Sequence, residues 1–194
     1  MFSEIEIEKL RNETSGVSKV IHLNNAGSSL PPDQVKKVII DYLEEEMTFG
    51  GYETHTKRFD EIEEVYGVVA KLINAKQSEI AMMENATVAW NAVFQAIDWQ
   101  AGDVVLVTQA DYASNYISYL HLQKRIAIEI QVIPSDENGL PCLDALKEML
   151  TTKVKLVSVT HMPTNSGLVV NAEGIGDLVR DHSALYLLDA CQSI

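Results

Sequence analysis

Short apolar runs alternate along this chain with segments of helical periodicity, and no other feature of the sequence limits the fold as strongly. The runs have the length of buried strands, and several are apolar throughout. Continuous apolar strands are typical of a parallel sheet that helices cover on both faces. The sequence therefore predicts βαβ units and an α/β fold, a three-layer sandwich around a mainly parallel sheet. The predicted strands are residues 80–83, 104–107, 126–133, 155–159 and 185–188.

The helices between these runs have recognisable start and stop signals. Pro31 and Pro32 precede a helix whose apolar residues follow a 3.6-residue period, and Gly50 ends it. After residue 80, one helix separates each strand from the next, which is the connection that parallel strands need. The other predicted helices are residues 59–73, 87–97, 114–124, 143–150 and 173–181.

The balance of charged residues limits the kinds of molecule that this chain can be expected to bind. The chain has 28 acidic and 15 basic residues, a formal net charge of −13, and no cluster of basic residues. This argues against nucleic acid and anionic membrane surfaces as partners, although a helix N-terminus can still hold a small phosphorylated ligand. No apolar run approaches the roughly 20 residues of a membrane helix, and the N-terminus lacks the apolar core of a signal peptide. We therefore expect a soluble, cytoplasmic protein.

Polar, small or aromatic residues follow four of the predicted strands. In open α/β sheets, ligands bind outside the carboxyl ends of the strands. The four segments together offer N–H groups for a phosphate, an aromatic ring, hydrogen-bond donors and a carboxylate. These segments are residues 84–87, 108–112, 160–165 and 189–192.

Taken singly, these residues also have structural explanations. Asn85 or Thr87 can cap the helix that follows. Tyr112 can be a half-buried surface aromatic, and His161 can be a hydrogen-bonded structural histidine. Asp189 can cap a helix after its strand. A functional interpretation therefore depends on the whole set and its order.

Six segments follow one another in an order that resembles a known family. They read HLNNAG at residues 22–27, GGYE at 50–53, NAT and AWN within 85–91, DYASN at 111–115, THMPTNSG at 160–167 and LDACQS at 188–193. From residue 22 to residue 194 the chain resembles the class V aminotransferases, which include cysteine desulfurases, selenocysteine lyases and isopenicillin N epimerase-like proteins. The resemblance implies a pyridoxal 5′-phosphate (PLP) enzyme with the large domain of fold type I, as in aspartate aminotransferase.

The resemblance also implies a domain organisation and an activity. Residues 1–30 would be an N-terminal segment, and residues 31–194 would be an incomplete PLP-binding large domain without its C-terminal part or small domain. The full-length protein would act on an amino acid as a transaminase, an epimerase or a carbon–sulfur lyase. The family is dimeric with sites at the interface, so the resemblance implies a homodimer.

Individual residues receive roles from the same resemblance. Ala86 and Thr87 begin a helix after a strand, so their N–H groups and the Thr87 hydroxyl are expected to hold the cofactor phosphate. Tyr112 is expected to stack on the cofactor ring. The Asp189 carboxylate is expected to face the ring nitrogen and to favour its protonated form, typically by about 1–3 pKa units. Gln192 is expected to hydrogen-bond the phenolic oxygen of the ring.

Alternatives remain at the other positions of the site. The THMPTNSG segment places Thr164 near the family asparagine and Asn165 beside it, and we expect Asn165 to contact the cofactor or substrate. Asn25 and Ala26 resemble the turn that meets the substrate carboxylate, although residues 24–27 can equally form a simple tight turn. Tyr112 replaces the histidine of desulfurases. Because tyrosine carries protons poorly near neutral pH, this difference favours the epimerase-like branch.

A PLP enzyme of this kind needs a lysine that forms a Schiff base with the cofactor. The resemblance places this lysine beyond Ile194. Lys153 precedes the predicted strand 155–159 and Lys155 begins it, so both fall where a helix connects to that strand, at its wrong end. Cys142 and Cys191 have no metal-type spacing, and neither matches the nucleophilic cysteine of desulfurases. We therefore expect no metal site, and a fragment that lacks covalent PLP and turnover by itself.

Two other classes of protein compete with this interpretation. One is a non-catalytic α/β remnant or subunit that binds a phosphate ligand or a partner chain. The other is a nucleotide-dependent oxidoreductase. No strand is followed by GxGxxG, and Gly174 and Gly176 fall in a helical stretch, so the oxidoreductase is disfavoured.

Overall fold

The computed structural model describes residues 2–194 and contains two compact units, which divide between Ile80 and Ala81. The first unit is helical, and the second contains the sheet. Over residues 2–194, no helix has both the length and the apolar character needed to cross a bilayer.

Helices and short turns build the first unit. Ser3 caps the first helix, since its side chain accepts the Glu6 N–H while the Glu6 carboxylate accepts the Ser3 N–H. Gly50, at φ +96°, separates two helices that follow each other directly. The helices are α1 Glu4–Asn12, α2 Asn25–Ser28, α3 Asp33–Phe49, α4 Gly51–Lys57 and α5 Phe59–Leu72, with 3₁₀ turns at Ser15–Ser18 and Gln77–Glu79.

An ionic contact joins α3 to the two helices that follow it. The Glu45 side chain is 8% exposed, and its Oε2 accepts a hydrogen bond of 2.7 Å from Arg58 Nε. Lys57 pairs with the other oxygen of the same carboxylate. Arg58 also donates to Glu61 within α5, at 3.0 Å. One carboxylate on α3 thus holds two cations at the boundary between α4 and α5.

A four-stranded parallel sheet forms the second unit. Its spatial order is β2-β1-β3-β4, and each neighbouring pair runs parallel, as the apolar runs predicted. Helices connect the strands in sequence. The strands are β1 Val104–Val107, β2 Glu129–Val132, β3 Val154–Thr160 and β4 Leu185–Asp189, and the helices are α6 Ala86–Ala96, α7 Ala113–Ile126, α8 Leu143–Met149 and α9 Ala172–Arg180.

Both faces of the sheet are covered, which confirms the three-layer α/β prediction. On one face Phe94 of α6 and Tyr119 of α7 pack with Val105 and Leu156. The residues on the opposite face include Leu106 and Val157, with Leu146 of α8 and Ile175 and Val179 of α9. Each fully buried aliphatic or phenylalanine side chain contributes about 1.5–3 kcal/mol relative to exposure.

The structure differs from the predicted elements in a few places. Residues 80–83 form no strand, because they pair with no neighbouring strand, and Met82 and Met83 are exposed by 51% and 42%. The helix before β2 extends to Ile126, where Ala127 ends it at φ +58°, so β2 begins only at Glu129. The short helices α1, α2 and α4 were not predicted, since they lack a long apolar period or follow glycine directly.

Candidate functional site

Three of the four predicted segments leave the same edge of the sheet. Thr160 and Asp189 are register partners at the ends of β3 and β4, and Val107 pairs with Ser158 near the end of β1. The His161 N–H donates to the Asp189 carbonyl at 2.9 Å, which continues the ladder one residue further. The loops after β1, β3 and β4 therefore begin side by side, at the edge where ligands bind in open α/β sheets.

A buried polar cluster underlies this edge, with the Asp111 carboxylate at its centre. Asp111 Oδ1 accepts the Thr160 hydroxyl and the Tyr112 N–H, each at 2.8 Å. Its Oδ2 accepts the Tyr119 hydroxyl at 2.8 Å, and that hydroxyl also lies 2.8 Å from the Ser158 hydroxyl. The cluster joins the end of β1 to β3 and α7.

The cluster extends to Asp189 through one amide. Asn115, which is 1% exposed, donates from Nδ2 to Asp189 Oδ2 at 3.1 Å. The Cys191 N–H donates to the other carboxylate oxygen at 3.3 Å. Both oxygens of Asp189 thus accept a hydrogen bond, and the carboxylate has a fixed orientation at the end of β4.

Burial raises the pKa of two groups in the cluster, Asp111 and Tyr119. It raises the pKa of Asp111, whereas hydrogen bonds from Tyr119, Thr160, the Tyr112 backbone and Asn115 oppose that rise. Burial also raises the pKa of the Tyr119 hydroxyl, and the negative charges of Asp111 and Asp189 add to this effect. Tyr119 therefore remains a protonated donor at neutral pH.

Two cavities flank this cluster. The smaller one, of about 160 Å³, is lined by Tyr112, Thr164, Asn165 and Gln192, so it contains both candidates for the family asparagine. Tyr112 is 47% exposed, which leaves part of its ring accessible. These predicted contact residues, which come from three different loops, share one cavity.

The larger cavity, of about 420 Å³, lies between α6 and the end of β4. Ala86 and Asp189 line it, and most of its remaining surface is apolar. The structure thus divides the predicted cofactor-binding residues other than Thr87 between two cavities at one edge of the sheet.

The N-terminus of α6 supplies the predicted phosphate contacts. Asn85 caps this helix, because its Oδ1 accepts the Val88 N–H at 2.9 Å, so the structural explanation of Asn85 is correct. Ala86 and Thr87 form the first turn, where backbone N–H groups have no acceptor within the helix. Both residues are exposed. This turn can therefore donate to an anion.

Other predicted residues have different surroundings. Asn25 and Ala26 lie in α2, in the first unit, where the Asn24 carbonyl accepts N–H groups of the same turn. The ring Nδ1 of His161 lies 2.8 Å from the Ser193 hydroxyl, which supports its structural explanation. Lys155 lies 3.9 Å from Asp103, which precedes β1, and is therefore at the amino ends of the strands.

The sequence interpretation missed the buried members of the site. Asp111 and Asn115 lie in the DYASN segment, but only Tyr112 was chosen from it, and Tyr119 was not chosen at all. A signal was available, because Asn115 and Tyr119 are four positions apart and so share one side of α7, and Asp111 directly precedes the N-cap residue of this helix. Polar groups at this spacing, next to a sheet, indicate a buried hydrogen-bond network.

Comparison with known proteins identifies relatives over nearly the whole chain. A probable cysteine desulfurase of Synechocystis is 32% identical over 95% of this chain and 45% of its own length. Another, of Methanothermobacter thermautotrophicus, is 28% identical over 96% of this chain and 47% of its own. The chain thus spans about half the length of these curated relatives.

A solved structure shares the fold. It is a variant of C-DES with glycine covalently linked to the PLP cofactor, and it matches 94% of this chain and 50% of its own, with a TM-score of 0.85 and 21% identity. The family model named aminotransferase class-V matches residues 21–194, which confirms the resemblance seen in the sequence. The chain therefore belongs to the class V aminotransferase family, whose members use pyridoxal 5′-phosphate.

Proposed function

We propose that this chain supplies part of a PLP site at the carboxyl ends of β1, β3 and β4, and that the whole protein acts on an amino acid. One observation carries the proposal: Asp189 ends β4 with both carboxylate oxygens hydrogen-bonded, at the edge where Tyr112 leaves part of its ring open. PLP, when bound, supplies the electron-withdrawing group, and the protein supplies binding, orientation and electrostatics.

The donor set fits each part of this cofactor. A carboxylate such as Asp189 favours a proton on a ring nitrogen. Tyr112 offers an aromatic face, and Gln192 offers a neutral amide for the phenolic oxygen. The first turn of α6, at Ala86 and Thr87, combines free N–H groups with the positive end of the helix dipole, which suits a phosphate.

Two observations favour two different reaction types within the family. The relatives are named cysteine desulfurases, which favours a carbon–sulfur lyase acting on a sulfur-containing amino acid. Tyr112 favours the epimerase-like branch instead, because it stands where desulfurases have a histidine and a phenol exchanges protons poorly at neutral pH. Asn165, beside Tyr112 and Gln192 in the smaller cavity, is the residue that we propose meets the cofactor or the substrate. Asn25 and Ala26 retain their proposed role at the substrate carboxylate.

The lysine that would hold the cofactor covalently is not provided by β3. Lys153 precedes this strand, and Lys155 Nζ lies 3.4 Å from the Asp98 carbonyl at the amino ends of the strands. We propose that residues 1–194 alone bind PLP without a covalent bond and without turnover. We also propose that residues 31–194 belong to the large domain, and that the whole protein is a cytoplasmic homodimer.

Titration of the purified chain with PLP, followed by visible absorbance, tests the proposal. Wild type is expected to bind, and Asp189→Ala is expected to bind at least about tenfold more weakly, the equivalent of one pKa unit at the ring nitrogen. Asp177→Ala, on the exposed side of α9, is the matched control and is expected to bind like wild type. Equal affinities for Asp189→Ala and wild type would reject the site.

Borohydride reduction followed by peptide mass spectrometry tests the second part. No lysine of residues 1–194 is expected to carry a reduced PLP adduct. An adduct on one of these lysines, together with turnover of an amino acid, would show that this part is wrong.

The alternative is a non-catalytic subunit that binds a phosphate ligand or a partner chain. The first turn of α6 favours it, because such a turn accepts phosphates generally. Competition separates the two: inorganic phosphate and PLP would bind this subunit with similar affinity, whereas a PLP site prefers PLP strongly.

A further inference from the structure

Asp111 is a half-buried carboxylate that none of the proposed cofactor contacts requires. We propose that Asp111 is a positioning residue, which fixes the Asn115 amide against Asp189 and fixes the backbone of Tyr112. The inference deepens the proposed function: it names a residue that acts on the cofactor through two others, without contacting it.

Side chains of β3 and α7 meet at Asp111. Its two oxygens accept from the Thr160 hydroxyl at the end of β3, from the Tyr112 N–H and from the Tyr119 hydroxyl in α7. A carboxylate with three donors, one from β3 and two from α7 and its N-cap residue, has little rotational freedom, and charged hydrogen bonds are stronger than neutral ones. Asp111 therefore fixes the start of the loop that carries Tyr112.

Asn115 provides the contact with Asp189. Asn115 follows Asp111 by four residues, and its Nδ2 carries two N–H groups. It donates to Asp189 Oδ2 at 3.1 Å, and the nearby amide lowers the pKa of Asp111, against the rise that burial causes. Because Asn115 is 1% exposed, water does not compete for this amide. The amide therefore lies in the first turn of α7, whose N-cap residue Tyr112 is held by Asp111, and this position sets the orientation that the amide presents to Asp189.

Asp111 could instead serve only to stabilise the fold, and the two roles predict different measurements. A purely structural carboxylate would change the unfolding midpoint and leave the surroundings of Asp189 as they are. A positioning residue would change the Asn115 amide and the Asp189 carboxyl in a chain that remains folded.

The test uses the isotope-labelled chain without PLP. The side-chain amide signals of Asn115 are followed by NMR across pH in wild type and in Asp111→Asn, which keeps the size of the side chain and removes its charge. Wild-type signals are expected to follow the titration of Asp111, and the Asp111→Asn signals are expected to lose that inflection and to have a changed chemical shift. Ser158→Ala, which removes the other partner of the Tyr119 hydroxyl, is the matched control and is expected to keep the inflection.

A second readout and a second variant keep the inference open to refutation. Asp111→Asn is expected to weaken PLP binding by about 3-fold to 100-fold, the range of coupling within one hydrogen-bond network. Thr160→Val, which removes one donor to Asp111, is expected to shift the Asn115 amide in the same direction if Asp111→Asn unfolds. Unchanged Asn115 signals in folded variants would overturn the inference. Absence of PLP binding in wild type would count against the proposed function alone, because the amide signals decide the role of Asp111 without the cofactor.

Discussion

Asn115 Nδ2 lies 3.1 Å from Asp189 Oδ2, although the two residues are 74 positions apart in the chain. Asn115 belongs to α7, and Asp189 ends β4 at the edge of the sheet. The helix that follows β1 thus determines the orientation of a carboxylate on a strand that lies much later in the sequence.

Replacing Asn115 with alanine is expected to weaken PLP binding several-fold and to lower the free energy of unfolding by about 1–3 kcal/mol, the cost of leaving a buried polar group without its partner. Both effects follow because Asp189 Oδ2 loses its donor. Absorbance titration and urea unfolding measure them. Asn138→Ala, in the exposed turn before α8, is the control for both. A variant with normal PLP affinity would show that Asp189 needs no fixed donor.

The Tyr119 hydroxyl gives a prediction about stability alone. Tyr119→Phe keeps the aromatic packing but leaves Asp111 Oδ2 and the Ser158 hydroxyl without this partner. The free energy of unfolding is expected to fall by about 1–3 kcal/mol, the penalty for a buried group left unsatisfied. Tyr116→Phe changes a ring that is 39% exposed and is expected to have a much smaller effect. Similar losses in the two variants would contradict the network.

The raised pKa of Asp111 gives a prediction about pH. Burial makes its charged form less favourable in the folded chain than in the unfolded one, so the folded chain binds the proton more tightly. The contribution of Asp111 to stability is therefore fully present below its ordinary pKa of 3.8 and is lost as pH rises through the raised value. Asp111→Asn removes this dependence.

Urea unfolding at a series of pH values, in wild type and in Asp111→Asn, measures the effect. The free energy of unfolding of wild type minus that of the variant is expected to fall as pH rises from about 4 to about 7. Asp177→Asn, on the exposed side of α9, is expected to show no such trend from burial. A difference that grows with pH would mean that the hydrogen bonds to Asp111 outweigh its burial.

In the first unit, Glu45 is expected to contribute more to thermal stability than the ion pairs on the surface of the unit. Glu45→Ala removes a side chain that is 8% exposed and leaves Lys57 and Arg58 without their shared partner. The midpoint of thermal unfolding is expected to fall clearly, because breaking a buried pair costs more than breaking an exposed one. Glu61→Ala removes only the pair with Arg58 on an exposed side chain. An equal effect of the two substitutions would contradict the prediction.

The sequence was sufficient to predict the sheet and the edge where its loops converge. Val104–Val107 is apolar at every position, and all four of its residues are buried. Such runs are a local signal, and parallel pairing then places Thr160 beside Asp189. The strand predicted at 80–83 was wrong, because pairing depends on a neighbour that no local pattern reveals.

The buried network was harder to predict for the same physical reason. Tyr119 and Ser158 are separated by 39 positions, and Asp111 and Thr160 by 49. A tyrosine in an apolar helix face indicates only core packing, and a serine within a strand indicates a small residue. Their hydroxyls acquire a partner only when the sheet brings β3 under α7.

The hydroxyl of Tyr119, held between Asp111 and Ser158, also bears on how this protein can change over evolutionary time. Losing the hydroxyl alone leaves two polar groups buried without a partner, so a phenylalanine at position 119 is tolerable mainly when positions 111 and 158 change with it. Homologues are therefore expected to vary at these three positions as a set, and sequences with phenylalanine at 119 are expected to carry small apolar residues at 158.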